Sequence, residues 1–293
     1  FAYGQTGSGK THTMEGIPSD PGVNQRALQL LYEETKTSCS DYSIEASMLE
    51  IYNETLIDLL NPELTSNNLE VKMKQEGGFH VPGLVTVPVT SLNEINKIIK
   101  TGHLNRTTAS TCMNERSSRS HSLLCVNVTG VNRITGSKTF GRLNLVDLAG
   151  SERVSRSQAD GVHLKEAQNI NKSLSSLGDV INALKNKHAH VPYRNSKLTY
   201  MLQESLGGDS KTLMILQVSP EEEDVSESIC TLTFGQRVRS AELGAAKRKF
   251  EDGTKGTPTS LLCTKSEIIS PMTPSKRTPK ASHMSSKLNT RLK

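Results

Sequence analysis

A glycine-rich segment at residues 4–11, GQTGSGKT, has the residue types and spacing of a phosphate-binding loop. Its glycines let backbone N–H groups turn inward around phosphate oxygens, and Lys10 is placed to bridge the β- and γ-phosphates of a nucleotide. Thr11, at the start of the helix that should follow, offers its hydroxyl to Mg²⁺. This segment predicts that the protein binds a magnesium nucleotide.

A second candidate site follows an apolar run at residues 143–148, within the sequence LNLVDLAGSE. A buried strand there would carry Asp147 to its carboxyl end, where a carboxylate can hold Mg²⁺ through water. Gly150 comes at the right spacing to donate its backbone N–H to a γ-phosphate. An ordinary turn after a strand has the same pattern, but the phosphate loop upstream favours a sensor of the γ-phosphate.

A third candidate site is the polar stretch NERSSRSH at residues 114–121. The adjacent hydroxyls of Ser117 and Ser118 suit contacts with Mg²⁺, the γ-phosphate and an attacking water. Arg119 suits an ion pair with a carboxylate such as Glu152. A solvated loop rich in serine and arginine would look the same, so this stretch alone leaves both interpretations open.

The elements that must hold these segments alternate along the chain, which is typical of an α/β domain. Short apolar or alternating runs predict strands, and apolar residues three or four apart predict helices. The predicted strands cover residues 43–52, 143–148 and 213–218, and the predicted helices cover residues 91–104, 163–185 and 225–243.

Composition separates this domain from a tail. The chain has 293 residues and a net charge of +5, yet residues 247–293 hold eleven Lys or Arg against three Asp or Glu. Because the end of the chain is also rich in Pro, Ser and Thr and lacks periodicity, we expect a folded domain over residues 1–243 and a basic disordered tail over residues 244–293. Four tail residues precede a proline, as in proline-directed phosphorylation sites: Thr257, Ser270, Thr273 and Thr278.

Composition also disfavours several classes of protein. No apolar run approaches the length of a membrane span, and the N-terminus lacks the pattern of a signal peptide. The five cysteines are far apart, which argues against a disulfide framework or a zinc site. The basic tail lacks interleaved aromatic residues, so nucleic-acid binding has little support beyond charge.

The chain resembles the kinesin motor domain over residues 1–243. Seven segments carry the resemblance, in the order typical of the family: FAYGQTGSGKTHTM, LEIYNETLIDLL, NERSSRSHS, LVDLAGSER, NINKSLSSLGDVINAL, HVPYRNSKLTYMLQESLGG and TLTFGQRVRS. Their details are most similar to those of the C-terminal-motor kinesins, which move toward microtubule minus ends. The resemblance implies an α/β P-loop fold with a central, mostly parallel or mixed sheet and helices on both faces.

The resemblance gives the three candidate sites family roles: residues 4–11 as the phosphate loop, residues 114–121 as switch I and residues 147–152 as switch II. It implies ATP and Mg²⁺ as cofactors and a microtubule-stimulated ATPase. It also implies that Arg119 pairs with Glu152 when the γ-phosphate is in place. The implied nucleotide-binding residues are Gly4, Gln5, Thr6, Gly7, Ser8, Gly9, Lys10, Thr11 and, near the adenine, His12. The implied catalytic residues are Ser117, Ser118, Arg119, Gly150 and Glu152, and the implied Mg²⁺ ligands are Thr11, Ser118 and, through water, Asp147.

A basic surface that binds the acidic surface of tubulin is also implied by the resemblance. Its candidates within residues 153–197 are Arg153, Arg156, Lys165, Lys172, Arg194 and Lys197. The positive charge of these residues is equally consistent with a helix face that is only exposed to solvent. The loop SRSQADGVH departs from related motors in its charges, which leaves the affinity for microtubules undetermined.

The direction of movement rests on similarity alone, and the sequence leaves cargo and oligomeric state open. The family dimerises through a coiled coil, which C-terminal motors carry ahead of the motor, and residues 1–293 show no sustained heptad repeat. The resemblance implies a protein of the cytoplasm and the microtubule cytoskeleton, including the spindle, and leaves a nuclear pool open. For the tail, binding to a second microtubule, nuclear import through residues 247–249 and no specific role all stay open.

Two other functions are weighed against a motor. A non-motile, nucleotide-dependent microtubule-binding protein should show a broken switch, and both switch sequences are intact. A signalling GTPase should carry an Asn/Thr-Lys-x-Asp motif that reads guanine, and this sequence has none.

The phosphate loop follows only three residues, whereas kinesin motor domains place several strands ahead of theirs. We therefore expect a sheet with unpaired edges, poor folding of this polypeptide alone, and weak nucleotide binding.

Overall fold

The structure, a computed structural model, describes residues 1–38, 40–61, 69–73, 79–108, 116–153, 162–207, 210–241 and 249–251. The chain divides into two compact units, Phe1–Lys255 and Gly256–Lys293. The second unit lies wholly outside the described residues.

A central sheet of eight strands organises the first unit. The described strands are β1 (Ala2–Tyr3), β2 (Gly16–Ile17), β3 (Asp20–Pro21), β4 (Ser40–Tyr52), β5 (Thr55–Asp58), β6 (Lys72–Met73), β7 (Phe79–His80), β8 (Val87–Pro88), β9 (Ser120–Asn132), β10 (Lys138–Asp147), β11 (Ile215–Leu216) and β12 (Lys249–Glu251). The main path of the sheet runs β11-β1-β10-β9-β4-β5, while β8 pairs with β4 and β12 with β10. Strand β1 is parallel to β10 and β11, and β9 is antiparallel to both its neighbours. The sheet is therefore mixed, as predicted, with its parallel part beside the phosphate loop.

The two-residue strand β1 determines where the phosphate loop begins. Ala2 is fully buried and lies in register with Asp147 on one side and Ile215 on the other. The backbone N–H of Leu148 donates to the carbonyl oxygen of Ala2 at 3.2 Å. Because parallel strands end at the same edge of a sheet, the phosphate loop and the residues after Asp147 emerge side by side.

Helices cover both faces of the sheet, which confirms the predicted layers. They are α1 (Lys10–Glu15), α2 (Val23–Thr37), α3 (Leu92–Thr108), α4 (Val162–Lys185), α5 (Lys197–Met201), α6 (Gln203–Leu206) and α7 (Val225–Arg239). Successive residues of a strand face opposite sides. On β9, Leu123 joins the core beneath α4 to α7, and Leu124 joins the core beneath α1 to α3. Of the helices in the described ranges, none combines the length and the apolar character needed to cross a membrane.

Several predicted boundaries are wrong. Strands β4 and β10 begin at Ser40 and Lys138 rather than at 43 and 143, because both pair with β9 along their whole length. Helix α3 continues to Thr108 rather than 104. Its last turn is polar, and Asn105 and Arg106 hydrogen-bond to Leu59 and Asp147 outside the helix, so the sequence shows no apolar pattern there. Helix α7 ends at Arg239 rather than 243, where the Ser240 hydroxyl donates back to the carbonyl of Gln236. The strand predicted over 213–218 is formed only at Ile215–Leu216, since its neighbour β1 is itself two residues long.

Three residues of the predicted tail form a strand. Residues Lys249–Glu251 form β12, which pairs antiparallel with the outer end of β10, so that Phe250 lies opposite Thr139. The outer end of β10 is an open strand edge that a short segment with backbone N–H and C=O groups free can join. Lys249–Glu251 thus forms a strand within the predicted tail, the tail itself stays a prediction, and residues 252–293 lie outside the described ones.

Candidate nucleotide site

The phosphate loop at residues 4–11 connects β1 to α1. Gly7 and Gly9 have φ angles of 81° and 96°, which residues with a Cβ rarely adopt. Gly4 is required for a different reason, because a Cβ there would lie 2.2 Å from the carbonyl oxygen of Gln217. The turn itself therefore demands these glycines.

Lys10 is buried in this loop, with 6% of its surface exposed. Its Nζ donates to the carbonyl oxygen of Gln5 at 2.8 Å. Burial lowers the pKa of Lys10, and the nearby carboxylates of Asp147 and Glu152 act in the opposite direction. Because a buried ammonium group gains from each added anion, Lys10 is suited to bind a phosphate.

Asp147 joins the phosphate loop to the end of β10. Thr11 Oγ1 donates to Asp147 Oδ2 at 2.8 Å, and Arg106 Nη1 donates to the same oxygen at 3.0 Å. The other oxygen, Oδ1, is buried and has no hydrogen-bond partner among the described residues. A hydroxyl and a carboxylate that converge in this way fit the oxygen ligands that Mg²⁺ prefers, so Thr11 and Asp147 could hold the ion. We call Thr11, Arg106 and Asp147 the Asp147 cluster.

Arg106 is the residue of this site that the sequence interpretation missed. It lies in the last turn of α3 and is 2% exposed. Besides Asp147, its guanidinium bonds switch I, because Nη2 donates to the carbonyl oxygens of Ser117 and Ser120 at 3.1 Å each. One buried side chain thus fixes a switch II carboxylate and the switch I backbone together. If the sequence interpretation had extended α3 by one more turn, Arg106 would have stood in its last turn, shortly before switch I, and would have been a candidate.

The two switches meet through their backbones. Gly150 N donates to the carbonyl oxygen of Ser118 at 2.8 Å, and Ser151 N donates to the carbonyl oxygen of Gly4 at 3.1 Å. A Cβ on Gly150 would lie 2.3 Å from Thr6 Oγ1 and from Glu152 Oε2. The structure therefore brings both switches and the phosphate loop together at this glycine.

Arg119 and Glu152 have other partners than the expected pairing. Glu152 accepts two hydrogen bonds from Thr6, one from its backbone N–H at 2.9 Å and one from its hydroxyl at 2.6 Å. Arg119 Nη1 donates to Glu166 Oε2 on α4 at 2.9 Å. In this structure the Glu152 carboxylate therefore bonds the phosphate loop, and the Arg119 guanidinium bonds the carboxylate of Glu166 on α4. The pair was expected with the γ-phosphate in place, and for that complex it stays a prediction.

The basic residues predicted to face microtubules lie on neighbouring elements. Lys172 is exposed on α4, and Arg194 is exposed in the 3-10 turn Tyr193–Asn195. Lys197 is half-buried at the start of α5. Since α4 packs against both the turn and α5, these three side chains belong to one packed group of elements.

The remaining predicted residues are less informative. Arg153 is exposed, and its Nη2 donates to the sulfur of Cys230 on α7 at 2.8 Å. His12 is exposed on α1, and its contact with adenine stays a prediction. Arg156 and the side chain of Lys165 lie outside the described residues.

Comparison with known proteins finds the same family from sequence and from fold. The family model described as "Kinesin motor domain" matches residues 1–241. The Kinesin-like protein KIN-14R of Oryza sativa subsp. japonica is 54% identical over 259 residues, which are 86% of this chain and 26% of the rice protein. This chain therefore spans about a quarter of the length of that relative.

Two solved structures are similar throughout the motor fold. One, of a fast kinesin, has a TM-score of 0.79 and 42% identity and covers 90% of this chain and 75% of its own. The other is a KIF14 dimer in complex with a microtubule, with a TM-score of 0.76 and 39% identity, covering 84% of this chain and 72% of its own. The chain belongs to the kinesin motor domain family.

Proposed function

We propose that this chain is a motor ATPase that hydrolyses Mg-ATP and couples hydrolysis to movement along microtubules. The observation that carries the proposal is the hydrogen bond from Thr11 to Asp147, which joins the phosphate loop directly to switch II. Such a contact allows a change at the phosphates to be passed to a segment that moves. Membership of the kinesin family supports the motor activity.

The residues of the chain would act mainly by positioning and by charge. Bound Mg-ATP supplies the phosphoryl group to be transferred and a divalent cation that offsets its charge. Lys10 and the loop N–H groups would hold the phosphates, and Thr11 with Asp147 would hold the metal. Ser117 and Ser118 would orient the attacking water, while Gly150 N–H would exchange its bond to Ser118 for one to the γ-phosphate.

Helix α4 would couple the nucleotide site to the surface that binds microtubules. Glu166 of this helix bonds Arg119 of switch I, and α4 is the next described element of the chain after switch II. A shift in either switch would therefore be transmitted to α4 and to the elements that carry Lys172, Arg194 and Lys197. Such a shift would change the grip on an acidic partner surface, for which tubulin is the proposed partner.

The proposal also includes the direction of movement and the assembly of the motor. The resemblance to C-terminal-motor kinesins and the similarity to a KIN-14 protein support movement toward the minus end. The same resemblance supports a homodimer formed through a coiled coil, and a place on the microtubule cytoskeleton.

Turnover of ATP with and without microtubules tests the proposed function. We expect strong stimulation by microtubules, and gliding of polarity-marked microtubules with the direction of a minus-end motor. Turnover that microtubules leave unchanged would contradict a motor. Stimulated turnover without gliding would instead favour the non-motile binding protein, and gliding in the other direction would overturn the direction alone.

The microtubule surface can be tested separately through its charge. Lys172→Ala and Arg194→Ala should each weaken co-sedimentation with microtubules by about two- to fivefold, as expected for an exposed ionic contact. The loss should shrink as salt is raised, because exposed charges are screened. Lys36→Ala is the matched control, since Lys36 is exposed on α2 above the ring of Tyr32. An equal loss in the control would argue against this surface.

A further inference from the structure

His121 is a buried polar residue for which the sequence interpretation gave no role of its own. It is the second residue of β9, directly after the 3-10 turn Arg116–Arg119 of switch I, and it is 2% exposed. Its neighbours Leu123 and Leu124 belong to the two apolar cores. Burying an imidazole costs free energy unless both ring nitrogens find partners, so its contacts indicate why it is there.

The hydrogen bonds of His121 form a directed chain. Ala149 N–H donates to Nδ1 at 3.0 Å, so Nδ1 carries no proton. Nε2 therefore carries the proton and donates to Ser173 Oγ at 2.7 Å. The Ser173 hydroxyl in turn donates to the carbonyl oxygen of Ile170 at 2.7 Å. Every donor in the chain has one acceptor, which fixes both the tautomer and the orientation of the ring.

The ring stays neutral under ordinary conditions. Burial, with Arg106 and Lys10 near by, lowers the pKa of His121 to about 3. Its contacts are therefore those of a neutral donor and acceptor and do not depend on titration near neutral pH.

These contacts connect three elements that the proposed mechanism requires to move together. Ala149 lies between Asp147 and Gly150 in switch II, Ser173 lies in the middle of α4, and His121 itself follows switch I. A displacement of the switch II backbone would break the bond to Nδ1 or pull the ring, and either event alters the bond to Ser173. A leucine of similar size would fill the same space without this link.

We infer that His121 is a positioning residue that couples switch II to α4 through Ser173. The inference rests on the proposed function, because it assigns to one side chain the step between nucleotide chemistry and the microtubule-facing helix. It predicts that removing the hydrogen bond between His121 and Ser173 weakens the stimulation of turnover by microtubules and leaves basal ATP turnover intact.

The test compares two serines of α4 in the full chain. Ser173→Ala removes the acceptor of His121, whereas Ser176→Ala removes a similarly buried hydroxyl that bonds only back to the Lys172 carbonyl at 2.8 Å. We expect Ser173→Ala to lower microtubule-stimulated turnover by about fivefold, the effect of one buried hydrogen bond, with basal turnover unchanged and Tm lowered by a few degrees because His121 Nε2–H loses its acceptor. Ser176→Ala should leave all three unchanged. Full stimulation in Ser173→Ala, or equal losses in both variants, would overturn the inference.

A second variant removes the same hydrogen bond by changing His121 instead of Ser173. In His121→Asn the shorter side chain keeps an acceptor for Ala149 N–H and cannot reach Ser173. It should reproduce the loss of stimulation, and the double variant with Ser173→Ala should lose no more than either single one. Additive losses would mean that the two residues act separately and would overturn the inference.

One measurement is independent of motor activity. The nitrogen NMR shifts of His121 should report an unprotonated Nδ1 and a protonated Nε2 between about pH 5 and about pH 8. A protonated Nδ1 would contradict the contact on which the inference rests. A wild-type chain with this tautomer but without microtubule stimulation would refute the proposed function, while a stimulated wild type with a normal Ser173→Ala variant would refute the inference alone.

Discussion

The carboxylate at the end of β10, Asp147, and the carboxylate five residues later, Glu152, are held in different ways. Asp147 is 4% exposed and shares one oxygen between Thr11 and Arg106. Glu152 is half-buried, and it bonds Thr6 through both of its oxygens. Asp147 therefore faces a fixed cation inside the protein, whereas Glu152 faces an amide and a hydroxyl of the phosphate loop.

Because of this difference, we expect Asp147 to stabilise the fold and Glu152 to change partners during the catalytic cycle. A buried ion pair is costly to break, because one partner is then left charged and unpaired. A half-buried carboxylate that accepts bonds from neutral groups can exchange them for others at little cost. We therefore expect changes at the Asp147 cluster to reduce stability and changes at Glu152 to alter the catalytic cycle.

Lys10, which lies near both carboxylates, gives the largest expected effect. Lys10→Ala should weaken binding of ATP by at least about a hundredfold, because the phosphates lose a buried cation. Tm should change little, since removing a buried charge also removes its desolvation cost. Titration with a fluorescent ATP analogue measures the first effect and thermal unfolding the second. Lys36→Ala is the control, and a loss in Lys10→Ala of less than about fivefold would argue against the role in phosphate binding.

Arg106 tests the framework itself. Arg106→Met leaves Asp147 and Glu50, whose Oε1 lies 4.0 Å from Arg106 Nε, buried without their guanidinium partner, which should cost about 3–5 kcal/mol of unfolding free energy and lower Tm by about 10 °C. Arg26→Ala, which removes an exposed pair with Asp20, should leave Tm unchanged.

A double variant refines this test of Arg106. Arg106→Met with Asp147→Asn removes the Arg106–Asp147 pair but leaves the buried Glu50, so it should recover only part of the lost Tm while ATP turnover stays low. A single variant as stable as the wild type would mean that Asp147 does not need its guanidinium partner.

Glu152 tests the switch. Glu152→Ala should preserve ATP binding and change the free energy of unfolding by about 1 kcal/mol or less, while turnover falls by at least about tenfold. The expected reason is loss of the Arg119 pair in the ATP complex, which should hold the chain in an ATP-like state that stays on microtubules. Turnover and microtubule co-sedimentation with ATP measure the two effects.

A comparison of double variants shows which carboxylate Arg119 uses during hydrolysis. If the Arg119–Glu152 pair forms, Arg119→Ala should add little to Glu152→Ala, and Glu166→Ala should reduce turnover less than Glu152→Ala. If Glu166 is the working partner, the order is reversed and the expected pair is wrong.

Local spacing made the phosphate loop and both switches readable from the sequence. The glycines at residues 7 and 9 are required by the φ angles of the turn, and the apolar run before Asp147 predicts the strand that carries it. The stripe over residues 163–185 likewise predicts α4 within one residue. In each case the determining interactions lie within one element, so a short window contains them.

Contacts between distant parts of the chain could not be read in this way. Arg106 lies 41 residues from Asp147, and Glu166 lies 47 residues from Arg119. In both cases several carboxylates and guanidinium groups were available, and only the packing of α3 and α4 on the sheet selects the partners. Strand β12 was missed for the same reason, because an exposed edge of β10 determines that Lys249–Glu251 pairs there.

The buried framework should also respond to acid through His121. Its pKa of about 3 lies below the ordinary value of a histidine, so the unfolded chain takes up a proton first as the pH falls. Stability from this residue is fully present above about pH 6.5 and is lost as the pH falls toward about 3, by up to about 1.4 kcal/mol per pH unit. Urea unfolding at a series of pH values measures this slope in the wild type and in His121→Asn.

The slope, and not the absolute stability, distinguishes the protonation of His121 from the loss of its hydrogen bonds. His121→Asn should be less stable at every pH, yet its stability should fall less steeply below about pH 6.5, because Asn does not titrate. His188→Asn removes an exposed histidine and should keep the wild-type slope. If His121→Asn keeps that slope as well, the acid sensitivity belongs to the carboxylates, and the predicted contribution of His121 to it is wrong.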